Sequence, residues 1–146
     1  MTRQTTHGTD PQPVTQGIHH LGLTVPNVSE TAHFFIEHLR FSAVGEKPDY
    51  PAIFVSDGAI MLTLWQTTAE KTVAFDRTAN VGLHHFALKV AGIEQLLQLH
   101  EKLSLLDEVE IEFAPEPLSG TPIQHMMCHI PGGLRVEFLA LPEEAK

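Results

Sequence analysis

The chain has few cysteines, few cationic residues and no long apolar run. Its single cysteine, Cys128, cannot form an intrachain disulfide, and 9 Lys and Arg residues against 18 Asp and Glu residues give a net charge of -9. An acidic surface repels nucleic acid and anionic lipid. No apolar run is long enough to span a bilayer. We therefore expect a cytoplasmic protein that binds neither nucleic acid nor membranes.

The first 16 residues differ in composition from the rest. They are rich in Thr, Gln and Pro and contain few apolar side chains, so burial cannot offset the entropy lost on ordering them. We predict a disordered tail over residues 1–16. The remainder, residues 17–141, is the right length for a single domain.

Histidine is abundant, with ten residues in the chain, and four of these occur in two matching segments. Residues 17–25 read GIHHLGLTV, and residues 82–90 read GLHHFALKV. The segments lie 65 positions apart and share five of nine residues. A long repeat seen twice indicates duplication of one supersecondary unit.

Each copy of the repeat begins the same order of elements. Asn27 followed by Glu30 predicts a capped helix, and an apolar stripe from Ile93 to Leu103 predicts a second. We predict α+β architecture, in which two βαβββ modules (about 17–66 and 82–141) form an eight-stranded mixed, half-open, barrel-like sheet. The predicted helix and strands of the first module cover 28–40, 41–44, 52–56 and 59–66, and the later strands cover 109–113, 123–130 and 134–141. Residues 115–117 (PEP) are predicted to separate strands.

Strand alternation places the candidate site residues on one face. Side chains point alternately to the two sides of a strand, so the apolar sets on the repeated strands leave His20 and His85 on the concave side. The same argument places Glu137 there, together with Arg135 and Lys89. Two imidazoles and one carboxylate facing one hollow suit a divalent ion with open coordination positions.

These residues resemble the vicinal oxygen chelate superfamily, which includes glyoxalases, bleomycin-resistance proteins and extradiol dioxygenases. The resemblance rests on both histidine segments and on residues 130–138 (IPGGLRVEF). It implies paired βαβββ modules, often in a homodimer, and metal ligands at His20, His85 and Glu137. The implied cofactor is one divalent metal ion per chain, of Fe, Mn, Ni, Co or Zn.

One position departs from glyoxalase I. That enzyme usually takes a fourth ligand, Glu or Gln, from the last strand of the first module, where this chain has Met61 or Thr63, depending on the strand register. Neither is a good ligand. The site therefore resembles the three-ligand sites of the dioxygenase and fosfomycin-resistance branches.

The predicted function is a metal-dependent enzyme that acts on a small oxygen-chelating substrate by lyase, isomerase, transferase or dioxygenase chemistry. Glu137, His125 and Arg135 are the candidate catalytic residues. Arg135 and Lys89 predict an anionic substrate group, with pairing of Arg135 to a neighbouring carboxylate as the alternative. The alternative function is a metal-free protein that sequesters a small molecule, as bleomycin-resistance proteins do.

Two other histidine pairs have simpler interpretations. His125 and His129 are too far apart along a strand to share one ion. His125 is nonetheless predicted on the concave side if Met127 lies opposite Glu137. His19 and His84 each precede a proposed ligand by one residue, which predicts that they point toward the helix side.

Overall fold

The computed structural model describes residues 10–143, and it contains the two predicted modules. Each module has one strand, one helix and three further strands in chain order. The α+β class and the βαβββ repeat are therefore confirmed. The bounds are β1 His20–Val25, α1 Val28–Leu39, β2 Ser42–Lys47, β3 Ala52–Ser56, β4 Met61–Gln66, β5 Phe86–Val90, α2 Ile93–Ser104, β6 Glu110–Pro117, β7 Gln124–Ile130 and β8 Leu134–Ala140.

The eight strands divide equally between two mixed sheets. The first has the order β1-β4-β3-β2, and the second has the matching order β5-β8-β7-β6. β1 runs parallel to its neighbour β4, and β5 runs parallel to its neighbour β8. The other neighbouring strands are antiparallel. The sheets are open, and hydrogen bonding does not join them into one continuous sheet.

The burial of alternate side chains explains why these segments form one-sided sheets. Leu23 and Val25 on β1 are buried, whereas the alternate residues His20, Gly22 and Thr24 are exposed. The helices cover the apolar faces, α1 against the first sheet and α2 against the second. One hydrophobic cluster contains core residues from both modules. The opposite faces carry the candidate site residues, as the alternation predicts.

The two helices begin differently. The Asn27 side chain accepts a hydrogen bond of 3.1 Å from the backbone N–H of Glu30, so the predicted cap is present in α1. The N-cap of α2 is Gly92, which has no side chain to accept such a bond. Packing of the α2 apolar face, including buried Leu96 and Leu103, therefore provides most of the stability of that helix.

Two strands are longer than the sequence predicts. β2 continues to Lys47, and β6 continues through Pro115 and Pro117, where the sequence predicts a separating segment. That prediction is wrong, and the physical reason is that β6 is an edge strand of the second sheet. An edge strand tolerates proline where no ladder bond is needed, and the register of β6 shifts between Phe113 and Glu116.

The modules meet where α1 contacts the turn between β7 and β8. The buried Thr31 hydroxyl donates a hydrogen bond of 3.2 Å to the Pro131 carbonyl. Lys102 of α2 also donates to the carbonyl of His38 at the end of α1, over 2.9 Å. The second module is thus joined to the first helix at two places.

The predicted tail is only partly within the described residues. Residues 1–9 lie outside the described residues, while residues 10–16 are exposed and contain neither helix nor strand. Between residues 10 and 143 no helix is both long enough and apolar enough to cross a membrane.

Candidate functional site

The central group of the candidate site is the Glu137 carboxylate, which lies between two histidines. Glu137 is in β8, and its side chain is buried. Its Oε1 atom lies 2.8 Å from Nδ1 of buried His125, and its Oε2 atom lies 3.0 Å from Nε2 of His85. A buried carboxylate is costly unless it is paired or bound to a metal, and here each oxygen has a separate partner.

Strand register explains how these groups meet. In the β7–β8 pair, Met127 lies opposite Glu137, and His125 lies opposite Leu139. The condition for placing His125 on the concave side is therefore met. The Phe113 ring of β6 lies 4.9 Å from the His125 ring and packs against its side. His125 is thus held by its neighbours with Nδ1 directed at Glu137.

The His84–His85 pair links Arg135 to Glu137 through a chain of short contacts. Arg135 Nη1 lies 3.3 Å from Nδ1 of His84, and guanidinium can only donate, so this His84 nitrogen accepts. His85 Nδ1 lies 2.7 Å from the same His84 nitrogen. The other ring nitrogen of His85, Nε2, is the atom that faces Glu137.

A ring nitrogen and a carboxylate oxygen face each other at the His85–Glu137 contact. At 3.0 Å they form a hydrogen bond when the nitrogen carries a proton, and without that proton both atoms can bind one cation. Adjacent ligands of a six-coordinate ion with bonds of about 2.1 Å are about 3 Å apart. The pair consequently fits a divalent metal in both donor type and spacing.

His20 lies in the other sheet. It is exposed on β1 beside Met61 of β4, and its Nδ1 lies 2.9 Å from Nδ1 of His19. Among the described residues no three His, Cys, Asp or Glu side chains are grouped to hold a metal, so one chain does not gather His20 with His85 and Glu137.

The register also identifies the counterpart of Glu137 in the first module. Gly22, two residues after His20, pairs with Thr63. In the second module Ala87, two residues after His85, pairs with Glu137. Thr63 therefore takes the position that the sequence left open between Met61 and Thr63. Its hydroxyl accepts a hydrogen bond of 3.0 Å from Trp65 Nε1, which leaves the first module with an alcohol where the second has a carboxylate.

Arg135 shares the concave face with Glu137 but is paired with another carboxylate. Its Nε donates to Glu112 Oε1 over 3.0 Å, and its Nη2 donates to Oε2. The Arg135 hydrogen bond lowers the pKa of Glu112 to about 2, with help from His129, which contacts the same carboxylate at 3.1 Å. The structure therefore shows the alternative arrangement, in which a neighbouring carboxylate occupies the Arg135 fork. Lys89, the second predicted cation, is exposed on β5.

Two features of this face differ from the sequence analysis. His84 does not point toward the helix side, because it precedes β5 and contacts Arg135. Glu112 was not identified as a candidate. The β6 register advances two residues from Ile111 to Phe113 while β7 advances one, so Glu112 is the extra residue of a bulge. The one available signal was a carboxylate flanked by Ile111 and Phe113 in a predicted strand.

The sequence and the fold identify the family. Residues 17–138 match the Glyoxalase/Bleomycin resistance protein/Dioxygenase superfamily, and the chain belongs to it. No protein with a curated description matches the chain.

Three solved structures illustrate the similarity. A glyoxylase/bleomycin resistance protein/dioxygenase domain from Frankia sp. EAN1pec has a TM-score of 0.75 at 18% identity, covering 88% of this chain and 99% of that one. The fosfomycin resistance protein of Listeria monocytogenes has 0.67 at 13%, covering 88% and 96%. The lactoylglutathione lyase of Agrobacterium tumefaciens has 0.67 at 16%, covering 87% and 95%. At these identities the likeness concerns the fold alone.

Proposed function

We propose that the protein is a divalent-metal-dependent enzyme that acts on a small substrate through two neighbouring oxygens. The observation that carries this proposal is the 3.0 Å approach of His85 Nε2 to Glu137 Oε2, which places two metal-binding atoms side by side. Membership of the glyoxalase and dioxygenase superfamily supports the same class of chemistry. Lyase, isomerase, transferase and dioxygenase reactions all fit this proposal.

We infer that the third ligand is His20 of the partner subunit in a homodimer. His20 is exposed on an edge strand of an open sheet, and the His85–Glu137 pair lies beside an edge strand of the other open sheet. Placing the first sheet of one chain against the second sheet of another would cover both concave faces. It would also bring His20 of one chain next to His85 and Glu137 of the other, which gives three protein ligands.

His125 has a positioning role in this proposal. Its Nδ1–H occupies Glu137 Oε1 at 2.8 Å, which leaves Oε2 as the oxygen directed toward His85. The hydrogen bond thereby favours binding through one carboxylate oxygen and holds that oxygen in place. Glu112 keeps Arg135 oriented with its Nη1 near His84, the residue that contacts the other side of His85.

The chain's own residues also limit what the site can do. A divalent ion would supply Lewis-acid chemistry, in which two substrate oxygens are polarised and developing negative charge is stabilised. With three protein ligands, the remaining coordination positions stay open to substrate. Thr63 adds no carboxylate from the first module, so the four-ligand arrangement of glyoxalase I is not expected here.

Metal content tests the proposal directly. After growth in medium containing Mn, Fe, Co, Ni and Zn and mild chelation, elemental analysis should find about one divalent ion per chain. His85→Ala and Glu137→Gln should each lose most of it, while His33→Ala, which changes an exposed histidine of α1, should retain it. Full retention of the metal in His85→Ala would overturn the ligand set.

The runner-up function is sequestration of a small molecule without metal. The observation that favours it is that no three metal-binding side chains come together in the described residues of one chain. Wild-type protein that takes up no divalent ion at micromolar concentration, yet binds small organic ligands, would support this function instead.

A further inference from the structure

A cleft of about 580 Å³ lies between the two modules, beside the candidate metal site. Its walls come from three parts of the chain: the concave side of β1, the connection between the modules, and the end of the β7–β8 hairpin. Thr24, Phe75 and Leu83 contribute to the walls, and Arg77, His84 and Arg135 contribute nitrogen donors. An apolar-walled cleft with a few polar groups is typical of a small-molecule site.

The cleft has an excess of positive charge in an otherwise acidic protein. Arg135 is neutralised by its paired contact with Glu112, and this carboxylate stays ionised because its pKa is about 2. Arg77 contacts the same carboxylate at 3.5 Å, which is longer than a direct hydrogen bond. Arg77 also interacts with the neighbouring Asp76, whose carboxylate accepts hydrogen bonds from Thr78. Neither Asp76 nor Glu112 lines the cleft, so guanidinium groups are the charged groups on its walls, in a chain whose net charge is -9.

We propose that the cleft binds small carboxylates with an apolar body, and that Arg77 is the group that holds the carboxylate. Arg77 is the guanidinium available for this because its side chain is 37% exposed, compared with 14% for Arg135. The guanidinium fork matches a carboxylate in shape. One accessible guanidinium suits a singly charged anion, and Phe75 and Leu83 can contact its apolar part.

His84 gives the carboxylate a second donor. Its ring lines the same cleft as Arg77 and contacts Arg135 through Nδ1 at 3.3 Å. An imidazole N–H is a hydrogen-bond donor, so an anion held by Arg77 can also contact His84. This site does not require the proposed metal, since none of His20, His85 and Glu137 lines the cleft.

A matched pair of ligands tests the proposal. We would titrate 3-phenylpropionate and its neutral amide, 3-phenylpropionamide, into the whole protein by calorimetry with EDTA present, so that the result is independent of metal binding. The acid should bind wild type about tenfold more tightly than the amide, because a charge-assisted contact is worth about 1.5 kcal/mol or more. Arg77→Gln should remove this preference.

Lys71→Gln is the control, because Lys71 is an exposed cation of the same connection that does not line the cleft. It makes the same change in net charge and should keep the preference for the acid. Shifts in NMR spectra on adding the acid should include Phe75 and Leu83. Equal affinity for acid and amide, no binding of the acid, or an unchanged preference in Arg77→Gln would each overturn the proposal.

Discussion

At the scale of single residues, two carboxylates on one face of the second sheet have different surroundings. Glu112 is paired with Arg135 and lies near Arg77, so its charge is compensated within the chain. Glu137 has only imidazoles beside it, from His85 and His125. The first arrangement pairs a carboxylate with guanidinium, which binds no metal, whereas the second pairs a carboxylate with imidazoles, which are metal ligands. The surroundings of each carboxylate, and not its residue type, are therefore the reason why Glu137 is the proposed ligand.

The Glu112 pair predicts how stability depends on pH. The pKa of Glu112 is about 2 in the folded protein and 4.5 without its partners, because the Arg135 hydrogen bond favours the ionised form. The stabilisation is fully present above pH 4.5 and is lost as the pH falls from 4.5 toward 2. Since water screens part of the interaction, we expect Glu112→Gln to lower the free energy of unfolding by about 1 kcal/mol at neutral pH.

Urea unfolding at several values between pH 7 and pH 3 measures this dependence. The difference between wild type and Glu112→Gln should shrink over the acidic part of the range. Glu110→Gln changes an exposed carboxylate of the same strand and should show little difference at any pH. A Glu112→Gln deficit that stays constant from pH 7 to pH 3 would contradict the assigned pKa.

At the scale of helices and strands, the repeated pattern predicts most of the fold. The duplicated histidine segments, the Asn27 cap and the alternation of apolar side chains correctly predict both modules and the concave position of Glu137. The contacts of Arg135 could not be predicted, because they depend on a bulge at Glu112 and on His84, which lies before β5 begins. Hydrophobic alternation contains no information about either irregularity.

The β7–β8 turn is the element where local backbone conformation joins the modules. Gly132 has φ of +103°, and a Cβ there would lie 2.6 Å from Thr31 Oγ1 and 3.0 Å from Val25 Cγ1. Gly132→Ala should therefore push α1 and β1 away from the turn and cost about 2 to 4 kcal/mol, from backbone strain and overpacking together.

Gly133→Ala separates these two effects. Gly133 has φ of +73°, but a Cβ there meets nothing within 4 Å. It should cost about 1 kcal/mol from strain alone. Thermal unfolding of both variants gives the comparison, and equal losses would show that contact with Thr31 and Val25 does not matter.

At the scale of the whole molecule, the two open sheets leave edges and concave faces for a second copy. Ile18 beside β1 is 73% exposed, and Val81 in the connection is fully exposed, which is unfavourable for apolar side chains unless they are covered. The sequence predicts the histidine on each repeated strand, but it cannot show that the two lie in different sheets. The proposed homodimer, which pairs the first sheet of one chain with the second sheet of another, would account for both observations.

Mixing two variants that each lack one proposed ligand distinguishes a site shared between chains from a site within one chain. His20→Ala lacks the exposed ligand, and Glu137→Gln lacks the buried one, so neither homodimer has a complete set. If the site is shared, a mixed dimer has one complete set, formed by His20 of the Glu137→Gln chain with His85 and Glu137 of the His20→Ala chain. Random pairing after unfolding and refolding together should then restore about a quarter of the sites.

Metal bound per chain, measured after size-exclusion chromatography, reports the outcome. The variants refolded separately and then combined just before measurement serve as the control and should bind little metal. Refolding His20→Ala with His85→Ala should restore the same fraction as refolding it with Glu137→Gln, because His85 and Glu137 act from the same chain. Refolding His85→Ala with Glu137→Gln should restore no metal sites, since each chain of a mixed dimer then has a defect in its own His85–Glu137 pair. Metal uptake in that last mixture, or none in the first two, would exclude a ligand set divided between His20 of one chain and the His85–Glu137 pair of the other.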